Sequence, residues 1–302
     1  MNIREEIDAR AKHIEEVISS YLPKGGGTQK TIFDAMNYSL LAGGKRIRPM
    51  LMEASYQLFS GKNGVSTNAI CAFMAAMEMI HTYSLVHDDL PAMDNDEYRR
   101  GKKTTHVVFG EAMGILAGDA LLNYAFETAA KSFDEEDVNL SFLKAYQVLA
   151  NKAGIYGMIG GQVVDIETEG MPVEKVSLAR IEYIHELKTA ALLEASLMIG
   201  AILGGASPDE VFVMECIGRR VGIAFQIQDD ILDVTSTMEV LGKPIGSDEK
   251  NNKPTYVTLM GLEDARERVA KLSKEAIDLL DGLEGQSEFL RELILYMIHR
   301  EK

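Results

Sequence analysis

Two clusters of aspartates are the residues whose type and spacing most clearly indicate chemistry in this sequence. The first contains Asp88, Asp89 and Asp94, and the second, which begins 141 residues after Asp88, contains Asp229 and Asp233. Carboxylates crowded in this way repel one another and ionise reluctantly together unless a cation neutralises them. Hard divalent ions prefer oxygen ligands, so the first cluster predicts a metal site. The second cluster strengthens this prediction because Asp229 and Asp233, four residues apart, share a helix face.

A proline interrupts the first cluster and determines how its aspartates can meet. Asp88 and Asp94 are six residues apart and would not share a face of a regular helix. Pro91 removes a helical N–H and disfavours the helical conformation at Leu90. The sequence therefore predicts that the chain bulges here and turns Asp94 back towards Asp88.

Basic residues beside these aspartates indicate an anionic ligand. The first cluster is followed by four cations, Arg99, Arg100, Lys102 and Lys103. Another cationic segment, Lys45-Arg46-Ile47-Arg48, lies between a Gly43-Gly44 turn and a predicted helix start, where free N–H groups and the helix dipole favour anions. Taken alone, this segment would be interpreted as a solvated turn. Beside a metal site it predicts a diphosphate cradle.

The apolar helix before Asp88 carries polar residues that could face the same site. His81, Ser84 and Asp88 share one face by their spacing, so His81 either faces the metal cavity or is an ordinary structural histidine. Tyr83 lies about a turn and a half before Asp88, and it is either plain core or the floor of a pocket. Both pairs of interpretations stay open on the sequence alone.

Later polar residues are harder to interpret. Lys188-Thr189 precedes a strongly apolar stretch, and a buried lysine needs an anion that its neighbours do not supply. Gln226 lies one turn before the second cluster, facing inward. Gly160-Gly161-Gln162 with Asp165 has no strand before it, so a dinucleotide fingerprint is rejected in favour of close helix contact. Asp119 has no assigned role.

Composition limits the class of protein. The 302 residues are 46% hydrophobic, enough for a sizeable core, and the net charge of -15 argues against a nucleic-acid or anionic-membrane binder. Cys71 and Cys216 lie in apolar surroundings without metal spacing, which predicts reduced thiols and a cytoplasmic protein. The N-terminus is too charged for a signal peptide, and the most apolar run, Ala195 to Ala206, is too short to span a bilayer. We therefore expect no stable membrane association.

Apolar residues recur at helical spacing almost throughout, and sustained alternation of β-branched residues is missing, so the sequence predicts an all-α protein. No linker or repeat divides it, which predicts a single domain over 1–302. The predicted helices are Ile3–Tyr21, Gln29–Ala42, one from about Pro49, Thr67–Leu90, His106–Lys131, Val138–Lys152, Ile155–Glu167, Val176–Leu203, one from Pro208 through the second cluster, Leu262–Leu280 and Glu288–His299. A polar loop, Leu241–Pro254, is expected to close over bound phosphates.

The sequence resembles the trans-isoprenyl diphosphate synthases, and most closely the bacterial farnesyl diphosphate synthases. The resemblance rests on Gly43-Gly-Lys-Arg-Ile-Arg-Pro49, Asp88-Asp-Leu-Pro-Ala-Met-Asp94 with Arg99-Arg-Gly101, Lys188-Thr189, Asp229-Asp-Ile-Leu-Asp233 and Lys243. It implies one all-α domain of antiparallel helices around a deep central cavity, usually as a homodimer. Glu97-Tyr98 departs from the family's frequent aspartate and leucine, but these positions are not ligands.

The resemblance also implies roles for individual residues. Three Mg²⁺ ions would be held by Asp88, Asp94 and Asp229 with the support of Asp89 and Asp233. The allylic diphosphate would be bound by Arg99, Lys188, Lys243 and Lys253. Isopentenyl diphosphate would be held by Lys45, Arg48, His81 and Arg100. Thr189 and Gln226 would lie along the developing carbocation, so that Lys188, Thr189, Gln226 and Arg99 form the catalytic set.

In this family the allylic C–O bond ionises, the double bond of isopentenyl diphosphate attacks the cation, and released diphosphate takes the proton. Tyr83 and the small Ser84 match the bacterial pattern for a fifteen-carbon product, farnesyl diphosphate. Ten- and twenty-carbon products stay open, the latter corresponding to a geranylgeranyl diphosphate synthase.

Three other functions compete with this one. A metal phosphohydrolase would use His87-Asp88 but needs several histidine ligands and leaves the second aspartate cluster unexplained. A terpene cyclase shares aspartate-rich metal binding but has no use for a second diphosphate cradle at Lys45. A non-catalytic subunit of a heteromeric prenyl synthase would be expected to have lost aspartates, and both clusters are intact.

Overall fold

A computed structural model describes residues 2–60, 67–134, 140–235, 254–285 and 287–299. The protein is all-α, as predicted. In chain order the helices are α1 (Ile3–Ser20), α2 (Lys30–Leu40), α3 (Ile47–Phe59), α4 (Thr67–Asp88), α5 (Thr105–Phe109), α6 (Glu111–Ala130), α7 (Leu140–Ala153), α8 (Met158–Thr168), α9 (Leu178–Ile184), α10 (Ala191–Gly204), α11 (Pro208–Thr235), α12 (Tyr256–Met260), α13 (Leu262–Asp281) and α14 (Glu288–Ile298). Short 3₁₀ turns span Gly27–Gln29, Lys131–Asp134 and Val173–Lys175.

Two helices predicted as continuous are interrupted. The predicted helix His106–Lys131 breaks at Gly110, whose φ of +89° ends α5 and starts α6 in a new direction. The predicted helix Val176–Leu203 contains a π-helical turn over His185–Ala190. The pattern of apolar residues does not reveal either interruption. The π turn adds only one residue to a helical turn, and the break occurs at the single residue Gly110, so the apolar spacing on either side still looks helical.

A two-stranded hairpin follows the first aspartate cluster and was not expected from periodicity. Tyr98–Arg99 pairs antiparallel with Lys102–Lys103. Its two turn residues, Arg100 and Gly101, both have positive φ, at 54° and 74°. Such a turn matches the right-handed twist of hairpin strands, and glycine satisfies it readily while arginine does so at a cost.

The core is built around α4 and α10, which are buried along most of their length. α10 packs on α3, α7 and α11, and α4 packs on α6 and α3. A methyl group at Gly200 or Gly204 would overlap the backbone of α3, so these glycines let the two helices approach closely. The hydroxyl of Ser55 in α3 donates to the carbonyl of Leu197 at 2.7 Å.

Within the residues that the structure describes, two helical stretches, Asn68–Asp88 and Leu178–Gly204, could cross a membrane by length and composition alone. In each, 78% of the apolar window is buried inside the protein. Most of their apolar surface is therefore packed inside the protein.

A buried ion pair fixes the basic turn between α2 and α3. Arg46 has a left-handed backbone with φ of 53°, and its side chain is 1% exposed. Its guanidinium donates to Glu78 of α4 at 3.2 Å and to the carbonyl of Leu40 at 2.7 Å. Exposed Glu15 lies 3.7 Å from the same guanidinium. Of the cations in this turn, Arg46 therefore faces inward and holds the turn on α4.

Replacing Glu78 by Gln is expected to lower the free energy of unfolding by about 3 kcal/mol, because the Arg46 charge would stay buried without its counter-charge. Urea denaturation followed by circular dichroism measures this. The matched control is Glu15→Gln, which removes an exposed carboxylate from the same arginine and should cost about 1 kcal/mol or less. Equal losses in the two variants would contradict the assignment.

Candidate active site

A cavity at the end of α4 has a volume of about 670 Å³. Its polar end carries Asp88, Gln162, Lys188 and Thr189. Its lining also includes the apolar side chains of Leu122, Met158, Ile159 and Val163. A cavity that combines charged groups with hydrocarbon suits a ligand with an anionic head and an apolar tail.

The first aspartate cluster folds as the sequence predicts. α4 ends at Asp88, and the N–H of Asp94 donates to the carbonyl of Asp88 at 2.9 Å, so the chain turns back on itself across Pro91. Asp89 has a different environment: it is 4% exposed and accepts hydrogen bonds from Arg99 at 2.6 and 2.7 Å. Asp89 and Arg99 line a small cleft under the hairpin rather than the main cavity.

The nearby positive charges do not fully offset the cost of burying an ionised carboxylate at Asp88. Burial raises its pKa to about 6, with further upward contributions from Asp94 and Asp165, against the lowering effect of Lys188 and Arg99. Gln162 donates to its Oδ1 at 3.0 Å. A cation bound beside Asp88 would favour the ionised form.

The anion that Lys188 requires is Asp165 of α8. The Lys188 ammonium lies 2.5 Å from the Asp165 carboxylate, which is 2% exposed. A methyl group at Gly161 would overlap the backbone nitrogen of Lys188, so α8 and the π turn are in the close contact that the glycine pair predicted. Gln162 and Asp165 are site residues that the sequence did not assign. Their spacing of three, which places both on one helix face after a glycine pair, is the signal that could have found them.

The π turn also reaches the second aspartate cluster. The Thr189 hydroxyl donates to the Gln226 side-chain oxygen of α11 at 3.0 Å. Asp229 and Asp233 follow on successive turns of the same helix; Asp229 is half-buried and Asp233 is 6% exposed. A capping box fixes the beginning of α11. The Ser207 N–H donates to the Glu210 carboxylate at 2.8 Å, and the Glu210 N–H donates to the Ser207 hydroxyl at 3.3 Å.

The predicted metal ligands are all carboxylates, a donor set that fits a hard ion such as Mg²⁺. Within the ranges that the structure describes, no three acidic, histidine or cysteine side chains converge tightly enough to hold an ion by themselves. A ligand phosphate bridging the two clusters would complete the coordination, as is usual for Mg²⁺.

A second pocket of about 350 Å³ adjoins the first. It brings together the four residues that the family resemblance assigns to isopentenyl diphosphate, Lys45, Arg48, His81 and Arg100. Arg100 donates to the carbonyl of Gly43, and Lys45 lies 5.6 Å over the ring of Tyr296 in α14. Burial lowers the pKa of Arg48 to about 10, a value at which it stays charged at neutral pH. This pocket offers a cationic surface that can bind a diphosphate without a metal ion.

His81 lies in the wall shared by the two pockets, as does Arg48. Its Nε2 is 3.3 Å from an Arg48 nitrogen. Burial, followed by the charges of Arg48, Arg100, Arg46 and Arg99, keeps the pKa of His81 well below its usual 6.5. His81 is therefore a neutral imidazole that can accept from Arg48 and orient it. Lys243 and Lys253, with the predicted loop residues 241–253, lie outside the described residues.

His81 should make the protein less stable in mild acid. Its folded pKa is lowered, so below pH 6.5 the unfolded state binds the proton better; the stabilisation is fully present above pH 6.5 and is lost as pH falls. In His81→Gln, the loss of unfolding free energy between pH 7 and 5 should be shallower, by up to about 1.4 kcal/mol per pH unit. Urea denaturation across this range tests it. The control, His13→Gln, changes a histidine that is 56% exposed and should leave the slope as in the parent protein. Equal slopes in parent and His81→Gln would contradict this account.

The sequence was compared with protein families and with known proteins, and the matches agree with the geometry of the site. The family model described as polyprenyl synthetase matches residues 29–289. The chain is 48% identical over 272 residues to a heterodimeric geranylgeranyl pyrophosphate synthase large subunit of Arabidopsis thaliana, covering 89% of this chain and 72% of that protein. It is 43% identical over 270 residues to the farnesyl diphosphate synthase of Geobacillus stearothermophilus, covering 89% and 88%.

A solved structure shows the same architecture. The geranyltransferase of Helicobacter pylori, complexed with magnesium and isoprenyl diphosphate, superposes with a TM-score of 0.81 at 30% identity, over 99% of this chain and 97% of that one. The helices, the two pockets and the sequence relationships lead to one conclusion. The chain belongs to the polyprenyl synthetase family and is a prenyltransferase of isoprenoid biosynthesis.

Proposed function

We propose that the protein is a farnesyl diphosphate synthase, which condenses isopentenyl diphosphate head to tail (1′-4) with dimethylallyl and then geranyl diphosphate, releasing diphosphate. The observation that carries this proposal is the pair of pockets joined at His81 and Arg48. One pocket is lined by the cations Lys45, Arg46, Arg48 and Arg100, and the other combines carboxylates, a lysine and apolar side chains. Two diphosphate substrates, one with a longer hydrocarbon tail, fit that division.

In this proposal isopentenyl diphosphate occupies the smaller pocket, held by Lys45, Arg48, His81 and Arg100. The allylic diphosphate lies beside Asp88 in the larger one, bound by Lys188, Lys243 and Lys253, and by Arg99 from the small cleft next to it. Three Mg²⁺ ions would be held by Asp88, Asp94 and Asp229, with Asp89 and Asp233 in support, and would neutralise charge on the departing diphosphate. The magnesium in the related Helicobacter pylori structure supports this choice of ion.

The chain's own side chains explain the rest of the reaction. Lys188, held by Asp165, places a fixed positive charge near the departing diphosphate, which favours breaking the allylic C–O bond. Thr189 and Gln226, hydrogen-bonded to each other, direct their oxygen dipoles along the developing carbocation. The apolar wall excludes water while the double bond of isopentenyl diphosphate attacks. The proton lost from the adduct goes to released diphosphate, so neutral His81 does not act as a base.

Tyr83 supports the fifteen-carbon product. It lines the larger cavity with Ser84 and is 5% exposed, and its ring lies edge-on to that of His87 at 5.8 Å. A ring clamped in this way can block extension of a growing chain. A geranylgeranyl diphosphate synthase is the second candidate, favoured by the 48% identity to a plant enzyme subunit of that name. A non-catalytic subunit is less well supported, because both aspartate clusters are intact.

We also propose a single domain over 1–302 that forms a cytoplasmic homodimer. The family match over 29–289 supports one domain. Leu116 of α6 and Leu143 of α7 are about half exposed, and Tyr156 is 73% exposed. Large exposed apolar side chains are common at sites of subunit association. Cys71 and Cys216 are unpaired, as expected in a reducing compartment.

The purified protein with Mg²⁺, labelled isopentenyl diphosphate and either dimethylallyl or geranyl diphosphate should yield farnesol after dephosphorylation, identified by chromatography. Chelation of Mg²⁺ by EDTA should abolish the product, and added Mg²⁺ should restore it. Geranylgeraniol as main product would support the second candidate. No elongation by a folded protein would overturn the proposed function in favour of a partner subunit.

Substituting Tyr83 by Ala should lengthen the product to twenty carbons or more, because removal of the ring deepens the apolar cavity. Product length by chromatography measures this. Tyr83→Phe is the matched control, since it keeps the ring and should keep the fifteen-carbon product. An unchanged product spectrum in Tyr83→Ala would remove this ring from the floor of the cavity.

A further inference from the structure

The middle carboxylate of the second aspartate cluster has partners unlike those expected of a metal ligand. Asp230 is 5% exposed, and its Oδ2 accepts the backbone N–H of Tyr256 at 2.9 Å. The same oxygen lies 3.6 Å from Nε2 of His185. Consecutive helical residues point about 100° apart, so Asp230 faces a different side of α11 from Asp229. One carboxylate thus joins α11 to the start of α12 and to the π turn.

The π turn is the element that this contact can control. His185 is its first residue, and Lys188 and Thr189 belong to the same turn. A π turn has poorer packing than an α-helix and persists where its surroundings enforce it. Here methyl groups at Gly161 or Gly222 would overlap Lys188 and Ala190, so α8 and α11 confine the turn from two sides. Asp230 supplies a polar contact at its beginning.

We propose that Asp230 is a positioning residue, which holds the π turn against α11 and α12 so that Lys188 and Thr189 face the larger cavity. Without this contact the turn can convert to α-helix, which changes the register by one residue and rotates one flank by about 100°. The Lys188 ammonium would then leave the Asp165 carboxylate and the cavity mouth. The inference rests on the proposed function only in assigning a catalytic use to these two side chains.

The competing role for Asp230 is that of a metal ligand, and substitution can separate the two. An amide oxygen in Asp230→Asn can still accept from the Tyr256 N–H, although it loses the negative charge. If Asp230 is a metal ligand, both Asp230→Asn and Asp230→Ala should raise the Mg²⁺ concentration that the enzyme needs. A positioning residue is rescued by Asn and not by Ala.

The experiment compares Asp230→Asn, Asp230→Ala and Asp209→Asn, in which an exposed carboxylate in the first turn of the same helix is neutralised. For the positioning role, Asp230→Ala should lower kcat by about 10²-fold, the order expected from a misplacement of about 1 Å. Its KM values should stay within about 3-fold, and Asp230→Asn should keep kcat within about 5-fold of the parent. A rise of about 10-fold or more in the Mg²⁺ half-saturation of Asp230→Asn would overturn the proposal.

Two readouts do not depend on turnover. Hydrogen exchange at the Tyr256 amide should be faster in Asp230→Ala and near the parent rate in Asp230→Asn. Thermal stabilisation by Mg²⁺ with inorganic diphosphate should have the same half-saturation in all three variants. If the parent enzyme makes no prenyl product, the proposed function fails while these measurements still decide the role of Asp230. Unchanged exchange in Asp230→Ala would overturn the proposal.

A further variant, His185→Gln, removes the other partner of the contact. If Asp230→Ala fails to fold, the test is made with His185→Gln and Asp230→Asn instead. If the contact between the two residues positions the turn, the kcat losses of His185→Gln and Asp230→Ala should be non-additive in the double variant. In the absence of the Ala variant, His185→Gln should itself lower kcat with unchanged Mg²⁺ half-saturation. Additive losses, or parent kinetics in His185→Gln, would contradict the proposal.

Discussion

The energetic cost of burying charge is the constraint on which the rest of this site depends. A buried ammonium, guanidinium or carboxylate is tolerated only when an opposite charge from another element meets it. Lys188 therefore fixes the π turn to α8 through Asp165, and Arg46 fixes the basic turn to α4 through Glu78. Asp89 and Arg99 do the same for the hairpin. Each pair sets the distance between two elements that border a pocket.

These pairs leave a particular set of charges available at the pocket surfaces. The charge of Arg46 is neutralised by buried Glu78, whereas Lys45, Arg48 and Arg100 contribute their charges to the lining of the smaller pocket. Asp88 faces the larger pocket with a raised pKa, while its neighbour Asp89 is occupied by Arg99. Adjacent residues of the same type thus divide into one that builds the site and one that lines it. In a sequence motif the two are indistinguishable.

The sequence predicts the elements better than their contacts. Apolar periodicity gives the all-α class and most helix boundaries, and the chemistry of Pro91 gives the return of Asp94 towards Asp88, because these effects are local. The π turn and the break at Gly110 leave the helical periodicity of the flanking segments intact, and the hairpin strands, of two residues each, are too short to show an alternating pattern. The pairing of Lys188 with Asp165 depends on tertiary packing, so the lysine's need for an anion could be predicted and its partner could not.

The contact between α3 and α10 joins two helices that the ribosome makes at widely separated times. Ser55 and Leu197 are 142 residues apart, and the glycine-mediated approach of the two helices extends over two further turns. Contacts of such sequence separation slow folding because a long loop must close before they contribute. The ribosome therefore makes α3 more than a hundred residues before α10, its main packing partner. Until α10 is made, the apolar face of α3 that it covers has no such partner, and this surface stays exposed on the nascent chain.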